Sequence, residues 1–207
     1  MDIEELHRIK ALGNLIQYYH SDLTYIRNFQ LYKQNKQNKN LRNRYLLKSS
    51  GSFQNFLNEF KIARNVRKNY VPELLDRTMD WVNTNQADDV DAFANKLREK
   101  EITQVNKTMT SLASKILFLN NPWRIFPCDT LNRRAVGVKT NRYSDFCSAH
   151  HDLMEREPLL IDHSLEPIQG FILRIEEEFK GKIGDISTIR RNRFIDKLLW
   201  VRGQKQT

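Results

Sequence analysis

The sequence predicts an all-α protein: one compact multi-helix domain over residues 1–207, divisible into two helical lobes that meet at a cleft around residues 111–137. Three observations carry this. Apolar residues recur at three- and four-residue steps through most of the chain. No stretch alternates with a period of two for long, as a half-buried strand would. Seven glycines in 207 residues are also too few to punctuate a strand-rich fold.

The elements follow in order. Ile3, Leu6, Ile9, Leu12, Leu15, Ile16 and Tyr19 predict an amphipathic helix over the first twenty residues. Ser21-Asp22 reads as the cap of a second, carrying Tyr25, Ile26, Phe29 and Leu31. Lys33 to Lys48 is rich in Lys, Asn, Gln and Arg and holds no acidic residue. It reads as a solvated, mobile connection in preference to a nucleic-acid contact strip, because charge blocks are commonly just exposed. Phe53, Phe56, Leu57, Phe60, Ala63 and Val66 share one helical face and predict a single core helix. Pro72 suits the first turn of the next helix, with Leu74, Leu75, Met79, Trp81 and Val82, and Asp88-Asp89 opens another with Val90, Phe93, Ala94 and Leu97. After residue 140 three more helices are expected. One carries Tyr143, Phe146, Cys147 and Leu153 and stops near Glu157-Pro158; the next runs from Ile168 to Phe179. The last is capped by Asp185 or Ser187 and carries Ile189, Phe194, Ile195, Leu198, Leu199 and Trp200.

Composition narrows the function classes. A formal charge of +9 makes a polyanion the first partner to consider. Two cysteines outside any C-x-x-C pair fit a reducing compartment rather than a disulfide scaffold. The chain opens with acidic residues, shows no apolar leader, and never approaches about 18 uninterrupted apolar residues. A soluble, cytoplasmic protein without membrane association is the expectation.

The chemistry concentrates in Ser111 to Gly137, S-L-A-S-K-I-L-F-L-N-N-P-W-R-I-F-P-C-D-T-L-N-R-R-A-V-G. Thr108, Thr110 and Ser111 precede the apolar run Leu112 to Leu119, so a helix N-terminus with unpaired N–H groups stands there and suits a phosphate. The run stops at Asn120-Asn121-Pro122. Asp129 then follows just ahead of a basic helix holding Arg133 and Arg134, where an Asp is most often simply an N-cap.

F-P-C-D-T-L-N-R-R-A-V resembles the P-V-D-T-H-V-x-R-V segment of the helix-hairpin-helix DNA glycosylase superfamily, whose Asp is the catalytic carboxylate. In that superfamily a hairpin of the form L-P-G-V-G-x-K-T-A precedes the segment. Setting Ala113 on its Ala places Asp129 sixteen positions later, similar to the family spacing. The register puts Ser111 where bifunctional members carry a Schiff-base lysine, as in the monofunctional, adenine-excising branch. Lys115, one turn on and on the same helix face, is the substitute candidate. The chain departs from the pattern in reading N-K-T-M-T-S-L-A instead of a G-x-G hairpin, and in lacking the family's iron–sulfur cysteines. The match covers about one seventh of the chain.

The resemblance implies base excision without a cofactor or metal. Cleaving a base–deoxyribose bond develops oxocarbenium-like charge, which a fixed carboxylate such as Asp129 stabilises while orienting water. The target base must leave the stack, which calls for aromatic walls; Trp123, Phe126, Tyr18 and Tyr19 are the candidates, with core packing as their ordinary alternative. Thr110, Arg124, Arg133, Arg134 and Lys139 are the candidates for phosphate contact. Lys115 is alternatively a solvated helix residue. The expected partner is double-stranded DNA, modified bases included, bound by a monomer. The unusual hairpin suggests a divergent specialist, for example in defence against modified phage DNA. The second function class is a non-catalytic helical nucleic-acid-binding module in which Asp129 only caps a helix.

Two other constellations are thin. Cys147, His150 and His151 form a C-x-x-H-H cluster without a second ligand pair, and Arg156 and His163 are separated by Pro158. The basic terminal helix, with Arg190, Arg191, Arg193, Lys197 and Arg202 beside Asp196, reads as packing against the N-terminal helices.

Overall fold

Helix starts and stops follow local chemistry along most of the chain. The computed structural model describes residues 2–46, 50–99, 102 and 108–204, and no strand occurs among the described residues. The helices are α1 (Ile3–Gln34), α2 (Lys39–Leu46), α3 (Phe53–Glu59), α4 (Val71–Trp81), α5 (Val90–Glu99), α6 (Thr110–Asn120), α7 (Thr130–Ala135), α8 (Tyr143–Arg156), α9 (Pro158–Leu165), α10 (Gln169–Glu177) and α11 (Ile186–Arg202). No helix among the described residues is long and apolar enough to cross a membrane.

The chain divides into two compact units. One combines Met1–Leu23 with Cys128–Thr207, and the other is the continuous stretch Thr24–Pro127. The boundary falls inside α1, which runs unbroken where the sequence predicted two helices. Asp22 does not cap a helix. It is buried and accepts a bond from Arg193 Nε at 2.8 Å, so a tertiary ion pair uses the carboxylate that local reasoning assigned to a cap.

In the continuous unit α6 is the central helix. Thr110, Leu112, Ala113, Ser114 and Ile116 through Leu119 are all buried, the signature of a helix covered on every side. Aromatic rings link the surrounding elements: Tyr32–Tyr45–Phe53–Phe56–Phe60–Phe118 form a continuous series with centroids 4.5 to 6.5 Å apart. Each such pair adds about 0.5–1.5 kcal/mol to the burial of its rings. The core helix expected to run on to Val66 ends at Glu59 instead. Lys61 turns left-handed (φ 56°), Ile62 N–H donates to Leu57 O, and Lys61 N–H donates to Asn58 O. That pairing satisfies the last carbonyls of α3 and terminates it.

The segment expected to be a mobile connection is also structured as far as it is described. α1 continues to Gln34, and after a short turn Asn38 Oδ1 accepts from the backbone N–H groups of Asn40 (3.0 Å) and Leu41 (3.2 Å) to start α2. Tyr45, Arg42 and the stacked Tyr32 hold α2 down; Arg42 grips Asp76 of α4 with two bonds, 3.1 and 2.7 Å long. Residues 47 and 48 lie outside the described residues.

In the unit that joins the two chain ends, α11 is central. Ile189, Phe194, Ile195, Leu198, Leu199 and Val201 are buried on it together with Asn192, Arg193 and Asp196. Asp185 caps it, accepting from Thr188 N–H at 3.2 Å; the Ser187 and Thr188 hydroxyls add bonds that hold its carboxyl down at about 2. Tyr19 and Glu176 meet in the same core, the phenol donating to Glu176 Oε1 at 2.7 Å while Arg190 makes two bonds to the carboxylate. Of the residues expected to bury the first helix, Ile3, Ile9 and Ile16 are exposed (47%, 51% and 37%), and Ala11, Leu15 and Tyr19 form the buried stripe. α9 was not anticipated, because Pro158 was read as a stop. It stands in the first helical turn, where its missing N–H costs nothing.

α7 lies against α11. A Cβ on Gly203 would come within 2.6 Å of the Leu131 carbonyl carbon and 2.9 Å of its Cα, backbone atoms that cannot swing aside. Gly203→Ala should therefore lower stability by about 1–3 kcal/mol. Urea denaturation checks this, and an unchanged midpoint would contradict so close an approach.

Candidate active site

Asp129 is the N-cap of α7. Its backbone is extended (φ −133°, ψ −174°), and Oδ1 accepts from the N–H groups of Leu131 at 2.9 Å and Asn132 at 3.1 Å. The residue is half-buried, with buried Cys128 before it and exposed Thr130 after it.

Behind this cap lies a polar chain that fixes it. Asn132 donates from Nδ2 to Asp196 Oδ1 at 2.8 Å; Arg193 donates from Nη1 to Asp196 Oδ2 at 2.9 Å and from Nε to Asp22. Burial alone would push the Arg193 guanidinium down, but Asp22 and Asp196 outweigh it and hold it above its ordinary value. Arg193 is 1% exposed and is the cation the two carboxylates share, with Lys197 Nζ a further 4.0 Å neighbour of Asp196. Arg134 adds a second tie, donating from Nη1 to Gly203 O at 2.9 Å. The α7 turn that carries Asp129 is thus held to α11 at Asn132 and Arg134, as a positioned functional group requires.

The remaining predicted residues are distributed as follows. Asp129 belongs to the unit of the chain ends, and Ser111 and Lys115 belong to the continuous unit. Ser111 is half-buried in the first turn of α6. Lys115 donates from Nζ to Phe60 O at 3.2 Å, the carbonyl of the residue that ends α3, a structural contact not foreseen from its spacing. Thr110 is 1% exposed, which takes its hydroxyl off the surface where a phosphate contact was expected. The segment N-K-T-M-T-S-L-A, which stands in place of the family hairpin, begins with residues 106 and 107, outside the described residues. Arg124 is exposed and lies 3.7 Å from Asp88; Arg133 donates to Asn141; Lys139 is exposed. Trp123 and Phe126 are half-buried in the loop between α6 and α7. Tyr18 is 40% exposed with Lys197 Nζ 5.0 Å above its ring, whereas Tyr19 is fully buried on Glu176 and is a core residue, not a pocket wall.

No family model matches the chain, and neither a curated protein nor a solved structure does.

Asn132, Arg193 and Asp22 were not foreseen beside Asp129. The one signal was the Arg193/Asp196 spacing of three, which reads as an ordinary intrahelical pair until the fold brings Asp22 and Asn132 to it. Among the described residues no group of three His, Cys, Asp or Glu side chains is placed to hold a metal. His150 is buried and His151 faces Glu155 at 3.1 Å on the exposed side of α8. A concavity in the same unit is lined by Asp162, Glu166, Arg190 and Arg191 among others, and holds none of the predicted site residues. Its arginines are paired, Arg190 with Glu176 and Arg191 with Asp162.

Burial pushes the His150 imidazole down to about 4, against the pull of Asp196 and with a smaller push from His151. A base whose folded value lies below its unfolded value binds more protons when unfolded, so stability is complete above about 6.5 and falls as pH drops toward 4. The expected loss is about 3 kcal/mol across that window. Thermal melts between pH 7.5 and 4.5 check it, and His150→Leu should flatten the slope.

Proposed function

We propose that the chain is a DNA N-glycosylase with a helix-hairpin-helix glycosylase-like fold, in which two lobes flank a cleft. The observation that carries this reading is the placement of Asp129. It opens α7 sixteen residues after Ala113 of α6, within F-P-C-D-T-L-N-R-R-A-V, a segment and spacing that resemble those of the superfamily's catalytic carboxylate. The excess of cations and the fixed α7 turn support it.

In this reading the target nucleotide is flipped from the stack and held against Trp123, Phe126 and Tyr18. The Asp129 carboxylate stabilises positive charge developing on the sugar and orients a water. The glycosidic bond breaks with its electron pair leaving on the base nitrogen. The water oxygen bonds to the sugar carbon and gives up a proton, which balances the departing base. The enzyme acts as a monofunctional monomer in the cytoplasm, and its departures from the family pattern favour defence against modified phage DNA over general repair.

One observation favours the second reading, a non-catalytic DNA-binding module: the Asp129 carboxylate is already employed as a cap. Incubation with duplexes carrying varied bases, hypermodified cytosines included, followed by alkali, separates the two. Alkali-dependent strand cuts are expected. Duplex binding with no abasic product on any base would leave the non-catalytic module. Cuts without alkali that vanish in Lys115→Met would make the enzyme a lyase as well.

A further inference from the structure

The excess charge is confined to one unit. Residues 24–127 carry 18 Lys and Arg against 9 Asp and Glu, whereas residues 1–23 and 128–207 carry 16 of each, so the whole formal charge of +9 belongs to the continuous unit. Within it, no carboxylate occurs between Asp22 and Glu59. The centre of that gap is the turn from α1 to α2, Lys33-Gln34-Asn35-Lys36-Gln37-Asn38-Lys39-Asn40-Leu41-Arg42-Asn43-Arg44, with a cation at every third position from 33 to 42.

The structure sorts these cations into two kinds. Lys33 and Arg42 are tied down, Lys33 to Asn120 Oδ1 at 2.7 Å and Arg42 to Asp76. Lys36, Lys39 and Arg44 are exposed and make no ion pair among the described residues. The turn beneath them is built: Asn35 donates to Leu31 O at 2.9 Å, Asn38 caps α2, and Tyr45 stacks on Tyr32. Residues 34 to 40 are all exposed, and the interleaved side chains are amides that bond phosphate and sugar oxygens. Leu41, half-buried, is the one apolar residue between 33 and 44, so the turn has nothing to insert into a bilayer.

We propose that the α1–α2 hairpin is the surface on which the continuous unit grips the phosphate backbone of duplex DNA, with Lys36, Lys39 and Arg44 as its contacts. This rests on the reading of the protein as a DNA-acting enzyme, and it moves the main electrostatic contact away from Arg133 and Arg134.

The test is binding of a fluorescein-labelled 20-base-pair duplex by the full chain, followed by anisotropy between 50 and 200 mM salt, alongside single-turnover excision. The variant is Lys36→Gln/Lys39→Gln/Arg44→Gln. Its control is Lys10→Gln/Arg174→Gln/Lys182→Gln, the same charge change on exposed residues of the neutral unit. The hairpin variant should bind roughly ten- to a hundredfold more weakly near 100 mM salt and lose about 2–3 from the slope of log K against log salt, at about 0.9 per phosphate contact. The control should stay within about twofold. Equal losses in both variants, or none in the hairpin variant, overturn the docking surface. So does hairpin-dependent binding found for duplex RNA or phosphatidylserine vesicles but not for DNA. Excision by a wild type whose hairpin variant binds normally leaves the glycosylase reading standing and removes this one. Hairpin-dependent DNA binding without excision does the reverse. A wild type that binds no duplex ends both.

Discussion

Asp129→Asn should abolish base excision, by about a hundredfold or more in single-turnover rate, while leaving both duplex affinity and stability nearly unchanged. The substitution isolates one property. Asn caps helices about as well as Asp, so its side-chain oxygen still accepts from Leu131 and Asn132 and α7 keeps its start, to within about 0.5 kcal/mol. What disappears is the negative charge on which oxocarbenium stabilisation depends, worth at least about 2.7 kcal/mol of barrier for a hundredfold effect. Asp129→Ala should lose both, with about 1 kcal/mol of stability gone with the cap. If excision is detected and Asp129→Asn retains it, the carboxylate is a cap and nothing more, and the catalytic group lies elsewhere.

The largest effect on stability is expected at Arg193. Removing this guanidinium leaves Asp22 buried without its cation and Asp196 with only Lys197 Nζ, 4.0 Å away, and breaking a buried charge cluster from one side costs about 3–5 kcal/mol. Arg193→Met should therefore lower the urea midpoint more than any single change at the surface. Should the variant fail to accumulate, Asp22→Asn/Asp196→Asn/Arg193→Met provides the check: it removes the orphaned charges and should recover part of the loss. A cluster that tolerates Arg193→Met alone would mean that water reaches the two carboxylates, which contradicts exposures of 1% for the arginine and 2% and 8% for its partners. Because Asn132 hangs from Asp196, loosening the cluster should also reduce excision more than affinity, a split that simple unfolding does not produce.

The all-helical class and most helix boundaries were legible because they depend on near neighbours. Pro72 in the first turn of α4, Asp89 ahead of α5, Asp185 ahead of α11 and Asp129 ahead of α7 all act within three residues of themselves. What could not be read depends on distant ones. Asp22 looked like a cap because its partner lies 171 positions away. Lys115 looked either solvated or catalytic, since nothing local announces that the end of α3 needs a donor at Phe60. Ile9 and Ile16 fit the helical pattern and yet are exposed, because periodicity shows that a helix has an apolar face but not which neighbours exist to cover it. At the candidate site Asp129 was legible as the N-cap of α7. Its supports, Asn132, Asp196 and Arg193, become a group only through the tertiary fold.

The unit that holds Asp129 is assembled from both ends of the chain, and this dictates an order of events at the ribosome. Residues 24–127 emerge as one uninterrupted stretch and form a unit that is continuous in the chain. The first 23 residues must wait. Tyr19 lacks its partner Glu176 until α10 is translated, and Asp22 lacks Arg193 until α11 follows, about a hundred and seventy residues after Asp22 itself. During synthesis the front of α1 carries an uncovered apolar stripe and a carboxylate awaiting its arginine, and closing that long loop is entropically costly. The carboxylate at the head of α7 is therefore set in place last, when Arg193 and Asp196 arrive behind it.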